Sequence, residues 1–291
     1  MMNFKTVICA AAVTLAAFVN TGLADCSTCK AGKKNIGLQL YSLRDDVKKD
    51  YAATIKKAAE MGYTEIEAAG YSNGKFYGLT PEEFKKSIED VGMKVVSSHA
   101  ALQLTPKQLE TKDFSEALKW WDEAIAAHKA AGMTYIGFPW TKKPAKIKDL
   151  QTFCEYLNAI GKKCADAGIT FCYHNHAFEF DKVEDKVMYD YMLAHTDPKY
   201  VSFEMDVYWV VRGQQSPVEY FEKNPGRFKL LHIKDHKELG QSGMVGFDAI
   251  FNNMEKSGAQ HFFVEVERYN FAPEVSVKKS ADYLLNAPFV K

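Results

Sequence analysis

The chain has 291 residues, and its 37 Lys and Arg are matched by 37 Asp and Glu. A formal charge of zero, with no Lys/Arg-rich run, argues against nucleic acid as a partner. With 19 Phe, 15 Tyr and 4 Trp, the chain can fill a large core and lacks the composition of a disordered segment.

Residues 1–24 read as an export signal. Lys5 supplies the positive start, Val7 to Val19 is an apolar run too short to span a bilayer comfortably, and Gly22-Leu23-Ala24 sets a cut after Ala24. The expectation is an exported, periplasmic protein with no membrane span once the signal is gone. Asp25 stands before Cys26 where a lipid-attachment signal carries a small neutral residue, which disfavours a lipoprotein. Residues 25–34 form a polar leader. Its Cys26-Ser-Thr-Cys29 precedes the first strand, so a local disulfide or a tether is expected there rather than a redox centre. Cys154, Cys164 and Cys172 fall in helix or strand patterns and read as small core residues.

From Asn35 onward one unit recurs. Apolar strand candidates start at Ile36, Tyr63, Lys94, Thr134, Ile169, Val201, Phe228 and His261. Between them lie segments with apolar residues at helical spacing, such as Tyr51–Met61, Pro81–Val91, Phe114–Ala131, Leu150–Ala167 and Phe247–Ser257. Gly62, Gly92, Gly132, Gly168 and Gly258 follow these segments, as glycines in the left-handed conformation close helices. Helix, glycine and strand repeating in this order predict βα units, and eight of them predict an α/β fold, a (β/α)8 TIM barrel. No linker or composition break appears, so residues 35–291 read as a single domain. A doubly wound open sheet would carry a Gly-rich phosphate loop after an early strand, and Ile36–Arg44 has none.

The C-terminal ends of barrel strands open on one face, so residues far apart in sequence converge there. In chain order those ends carry Gln39, Tyr41 and Arg44; Glu65 and Glu67; His99; Trp140; His174, Asn175, His176 and Glu179; Glu204, Asp206 and Trp209; His232, Lys234 and Asp235; and Glu265, Glu267 and Arg268. Charged groups enter apolar runs rarely unless they are paired or coordinate something. Four of them, one from each of the last four strands, can surround one divalent ion: His174, Asp206, His232 and Glu265. Mixed imidazole and carboxylate ligation suits Mn, Zn, Co or Fe, with Mg also admitted. Taken singly, a strand-end His serves as readily as a hydrogen-bonded structural residue, and an Asp as a helix cap.

In their order and placement, Ile36-Gly-Leu-Gln-Leu-Tyr-Ser-Leu-Arg44, Gly62-Tyr63 leading to Glu67, Asp206-Val-Tyr-Trp209, His232-Ile-Lys-Asp235 and Val264-Glu265 resemble the sugar phosphate isomerase/epimerase family of xylose isomerase-like TIM barrels. The resemblance implies one divalent metal at the barrel mouth, held by Glu, Asp, His and Glu from strands five to eight, onto which Asp206, His232 and Glu265 map. It also implies a substrate contact for Glu179, and Trp209 stands where many members have a histidine. At strand five the chain departs from the pattern, with His174-Asn175-His176 in place of Glu-Asn-His. A neutral ligand there puts symmetric two-base epimerisation in doubt and makes the metal site a stronger Lewis acid. Variants of this kind resemble proteins that eliminate an aglycone from 3-keto-glycosides or hydrate them.

The chemistry expected is proton abstraction beside a carbonyl of a small carbohydrate, through a metal-stabilised enediolate. Glu265 is the first choice of base, and His99, His176 and Lys234 are candidates for the acid. Tyr41, Trp140 and Trp209 would wall the sugar, with Glu67 and Glu179 also contacting substrate. Export disfavours a phosphorylated sugar, which leaves a neutral keto-sugar or glycoside. Two other classes stay open: an endonuclease for abasic DNA, which the neutral charge and export oppose, and a non-catalytic carbohydrate-binding protein. Whether the chain forms a homo-oligomer is open as well.

Overall fold

The computed structural model describes residues 34–291, so the expected signal, the leader up to Lys33, Cys26 and Cys29 lie outside the described residues. Eight parallel strands build the principal sheet: β1 (Gly37–Gln39), β2 (Glu65–Ala68), β3 (Lys94–Ser98), β4 (Tyr135–Phe138), β5 (Thr170–His174), β6 (Val201–Asp206), β7 (Phe228–Lys234) and β8 (His261–Glu265). Each begins within two residues of its expected start. Their order in the sheet is β3-β2-β1-β8-β7-β6-β5-β4. The two ends meet through Thr134 N donating to Val96 O at 3.1 Å and Ala100 N to Gly137 O at 2.9 Å. The ring therefore closes as a TIM barrel.

The helices follow from local chemistry. Tyr51–Glu60 is capped by the Asp50 carboxylate, which accepts from Ala53 N. Pro81–Glu89 starts on a capping box between Thr80 and Glu83, with Pro81 in its first turn. The five helix-closing glycines all have φ between 76° and 101°, the left-handed region expected of them. The expected helix Phe247–Ser257 is divided at Asn253 into Phe247–Asn252 and Met254–Ser257. The Asn253 side chain donates to Ala249 O at 2.9 Å, taking the carbonyl that its own backbone N–H would use in a continuous helix. Helices Met188–His195, Val207–Arg212, Pro217–Lys223 and Pro273–Asn286 complete the outer ring. Among the described residues no helix is long and apolar enough to cross a membrane.

Two kinds of core position the site. Between strands and helices, Trp121, Phe138, Phe171, Tyr173 and Phe203 are fully buried, and truncating such a ring to Ala costs about 3–5 kcal/mol. Cys154 and Cys164 are buried free thiols in the same layer. Inside the barrel Val96, Tyr135, Cys172, Leu230 and Phe263 form an apolar layer. Side chains on a strand alternate faces, so the next inward positions toward the C-terminal end are His174, Glu204, His232 and Glu265. Register aligns them: Glu204 lies opposite His174, Asp206 opposite His232, and Lys234 opposite Glu265. Register shifts fall between Ile66 and Glu67 and between Phe203 and Glu204, each immediately before a buried glutamate.

Candidate metal centre and active site

One atom each of His174, Asp206, His232 and Glu265 lies within 4.8 Å of the others, and all four residues are buried. His174 Nδ1 is 3.0 Å from Pro139 O. A carbonyl only accepts, so Nδ1 carries the proton and Nε2 presents a lone pair, buried and without a partner. Asp206 divides its oxygens: Oδ1 accepts from Trp209 N at 3.0 Å and caps Val207–Arg212, while the buried Oδ2 has no hydrogen-bond partner. Both readings of this aspartate, helix cap and available ligand, are thus realised in one side chain. Asn175 fixes its backbone, accepting from Asp206 N at 3.1 Å and donating to Asp206 O at 3.3 Å.

His232 Nε2 sits 2.6 Å from Glu67 Oε2, and its Nδ1, 3.4 Å from Glu265 Oε2, has no hydrogen-bond partner. Burial opposes a charge on this ring, but Glu204, Glu265 and Glu67 outweigh it and raise its proton affinity well above the usual histidine range. A field that favours a proton at that point favours a divalent cation as well. The donor set therefore fits a divalent ion: imidazole lone pairs on His174 and His232, an unpaired oxygen on Asp206, and the Glu265 carboxylate.

Lys234 is the cation built into the same layer. Its Nζ lies 2.9 Å from Glu265 Oε2, 2.6 Å from Glu267 Oε2 and 3.8 Å from Asp206 Oδ2, and 5.0 Å above the Trp209 ring. Burial opposes its charge; Glu265, Asp206 and Glu267 more than offset that, so Lys234 stays protonated. Burial likewise opposes ionisation of Glu265, which Lys234 and His232 hold well below the usual carboxylate range. Beneath lies a second cluster of Glu67, His99, Glu204 and His232, also gathered within 4.8 Å.

Above this layer opens a cavity of about 410 Å³ lined by Tyr41, Tyr71, His99, Trp140, His174, His176, Glu265 and Glu267. Tyr41 and Trp140 are 43% and 48% exposed, so both present free ring surface to it. Arg44 stacks on Tyr41 at 4.7 Å and is engaged by Tyr269 OH at 2.7 Å.

A xylose isomerase-like TIM barrel model matches residues 55–287. The chain belongs to that family. It is an enzyme of the sugar isomerase/epimerase-like kind. A solved sugar phosphate isomerase/epimerase from Parabacteroides distasonis ATCC 8503 is 37% identical, with a TM-score of 0.82, over 89% of this chain and 100% of that one. A second from the same strain is 35% identical, with a TM-score of 0.82, over 92% and 99%. Among curated proteins, an inosose dehydratase from Lacticaseibacillus casei is 23% identical over 79% of this chain and 90% of its own length.

Against this family's mouth-facing plan, the singled-out residues fall into three places. Tyr41, Trp140, His99, His174, His176 and Glu265 face the cavity, with Lys234 beneath it. Trp209 packs against the His176 ring, 5.5 Å between centroids, and against the Lys234 ammonium over its face. Glu67 and Glu179 do not line the cavity. Glu67 is fully buried, accepting from Gln39 Nε2 at 2.7 Å and from His232. Glu179 is folded under the loop, accepting from Tyr173 OH and from His176 N, each at 2.8 Å. Burial raises its carboxyl to about 8.

The three candidate acids separate by proton affinity. Burial opposes charge on His99, but Glu67 and Glu204 outweigh it and raise its affinity; Lys234 is also raised. His176 is pushed down to about 3, by burial first and then by His174 and Lys234, so it is neutral at neutral pH. Sequence reasoning placed Glu204 at a strand end without a role and passed over Tyr71. The signal for Glu204 was its spacing of two from Asp206, which puts both on the inward face of β6.

Proposed function

We propose that the chain is a divalent-metal-dependent isomerase or epimerase acting on a non-phosphorylated keto-sugar or glycoside, by proton abstraction beside a carbonyl. The observation that carries this reading is the set of partnerless buried atoms, His174 Nε2, Asp206 Oδ2 and His232 Nδ1, facing Glu265 below a cavity with aromatic walls. The bound ion would supply Lewis-acid polarisation of a carbonyl and its neighbouring hydroxyl. The protein's groups do the rest. Glu265, held ionised by Lys234, takes the proton from the carbon beside the carbonyl, and the electron pair of that bond moves onto the carbonyl oxygen. His176, neutral and facing the same cavity, is the weakest of the three candidate acids and would hydrogen-bond a sugar hydroxyl. His99 and Lys234 hold protons to give back. Tyr41 and Trp140 wall the ring and exclude water. Among the described residues the cavity lining contains carboxylates and no Lys or Arg, which favours a neutral sugar over a phosphate.

A second reading is elimination: the same proton is removed, and an oxygen on the next carbon leaves with a proton from His99 or Lys234. A histidine, His174, at the strand-five position and the dehydratase relatives favour it. Incubating the metal-loaded protein in deuterated water with free ketoses and 3-keto-glycosides separates the two. Deuterium beside the carbonyl with the aglycone retained supports isomerase or epimerase action, and release of the aglycone or of water supports a lyase. No exchange and no release with any of these substrates, while they still bind, would overturn both and leave a binding protein. Export to the periplasm belongs to the same proposal, and a mature protein whose mass begins elsewhere than Asp25 would sink the cleavage after Ala24.

A further inference from the structure

We propose that the barrel holds a second divalent cation below the first, ligated by Glu67, His99, Glu204 and His232, with His232 serving both ions through its two ring nitrogens. The inference builds on the metal reading of the outer set above. Strands β2, β6 and β7 contribute, with His99 one residue past the end of β3. His99 Nε2 lies 2.8 Å from Glu204 Oε2 and 3.5 Å from Glu67 Oε2; His232 Nε2 lies 2.6 Å from Glu67 Oε2 and 3.3 Å from Glu204 Oε1. Two imidazole nitrogens thus face two carboxylates across one small volume, a donor set suited to zinc or cobalt.

Independent features show that this volume is built. Glu67 Oε1 and Glu204 Oε1 are buried with no hydrogen-bond partner, although both side chains are fully enclosed. A register shift precedes each glutamate, re-aiming it against the strand's neighbours. Gly137 on β4 leaves the space: a Cβ there would stand 2.8 Å from His99 Cδ2 and 3.0 Å from Glu204 Oε2. Gln39 Nε2 donates to Glu67 Oε2 at 2.7 Å and fixes its orientation.

Charge points the same way. Glu67 and Glu204 in the inner set, with Asp206, Glu265 and Glu267 around Lys234 just above, set five carboxylates against one ammonium, a formal excess of four negative charges. One divalent cation in the outer set would halve that excess, and a second in the inner set would offset the other half. An ion there would take the place of the protons on His99 Nε2 and His232 Nε2, which leave to solvent, and Lys234 would then remain as the acid of the proposed reaction. Serving both ions would leave His232 without a proton on either ring nitrogen, which returns one negative charge to the site.

The test is the metal content of the full-length protein saturated with zinc and desalted, together with anomalous scattering at the zinc edge from its crystals. Two equivalents per chain are expected, with peaks on opposite sides of His232. His99→Asn and Glu204→Gln, each checked for an unchanged melting profile, should fall to one equivalent and keep the outer peak. Asp206→Asn should lose the outer peak and keep the inner one. A single peak in the outer set of the wild-type protein overturns this inference alone, whether or not the variants fold. No zinc at either set overturns the proposed function with it.

Discussion

Two glutamates on β2, Glu65 and Glu67, both point into the barrel and both pair with a histidine, yet they do different work. Glu65 Oε2 meets His261 Nδ1 at 2.8 Å near the N-terminal end, with side chains 12% and 26% exposed, beside an open cavity of about 440 Å³. Glu67 Oε2 meets His232 Nε2 at 2.6 Å with both side chains fully enclosed. The lower pair is complete: Glu65 and His261 satisfy each other, and neither leaves a buried atom without a partner. The upper pair stands among Glu67 Oε1, Glu204 Oε1, His232 Nδ1, Asp206 Oδ2 and His174 Nε2, all buried and unpartnered. Residue identity is the same at both ends. What makes one end a site is polar capacity that nothing in the protein uses, enclosed where water cannot repay it.

The strongest way to break that contrast is to disable the upper end. Glu265→Gln keeps the shape of the side chain and removes the charge that Lys234 holds in place. Turnover on the substrate found in the exchange experiment should fall by about 10²–10⁴-fold, the usual weight of a positioned base. Initial rates at saturating metal measure it. A fall below tenfold would move the base to another residue.

Glu179 tests whether every carboxyl near the mouth belongs to the site. It is buried, and both of its oxygens are taken by Tyr173 and by the backbone of His176. Burial raises it to about 8 from an ordinary value of 4.5, so the folded state binds its proton more tightly than the unfolded state. A raised carboxyl stabilises the fold fully below about pH 4.5 and loses that contribution as pH climbs toward 8. Between pH 5.5 and 8 the wild-type protein should lose about 3 kcal/mol from this group, and Glu179→Gln should flatten the slope. Urea midpoints of both proteins at the two pH values decide it, and parallel slopes would remove the argument.

The difference between Glu265 and Glu179 also marks where the sequence stops being readable. The eight strands are legible because both faces of a barrel strand are buried, which leaves short apolar runs such as Tyr135–Phe138. The convergence of His174, Asp206, His232 and Glu265 is legible too, since topology alone brings strand ends together. Glu179 is five residues past His174, and the 3₁₀ turn Phe178–Phe180 folds it back beneath the loop; no periodicity encodes that reversal. Glu67 sits below the cavity and Glu204 within its cluster through register shifts, which a count of alternating residues does not reveal. The break at Asn253 depends on one side-chain amide taking a carbonyl, a choice invisible to helical spacing.

Glu67→Gln sharpens the upper half of the comparison. The amide can still accept from His232 Nε2, so the ring stays oriented, but the negative charge behind it is gone. Affinity at the outer set should weaken by about 10–100-fold, the range seen when the group behind a ligating histidine is altered, and an inner zinc should be lost with its ligand. Competition against a chelating dye reads this directly, and an unchanged affinity would mean that Glu67 contributes packing alone.

Glu65→Gln is the matched change at the lower end and carries the smallest expected effect. The Glu65–His261 pair is partly exposed, and exposed ion pairs are worth roughly 0.2–1 kcal/mol. Stability should fall by no more than about 1 kcal/mol, with metal content and turnover unchanged. The reasoning is local: the pair closes on itself, no orphaned atom of the described residues lies beside it, and the apolar layer of Val96, Tyr135, Cys172, Leu230 and Phe263 separates it from His232. If Glu65→Gln lowered metal affinity as much as Glu67→Gln, the two ends of the barrel would be electrostatically coupled across that layer. The contrast between a finished pair and an unfinished one would then no longer explain where the site is.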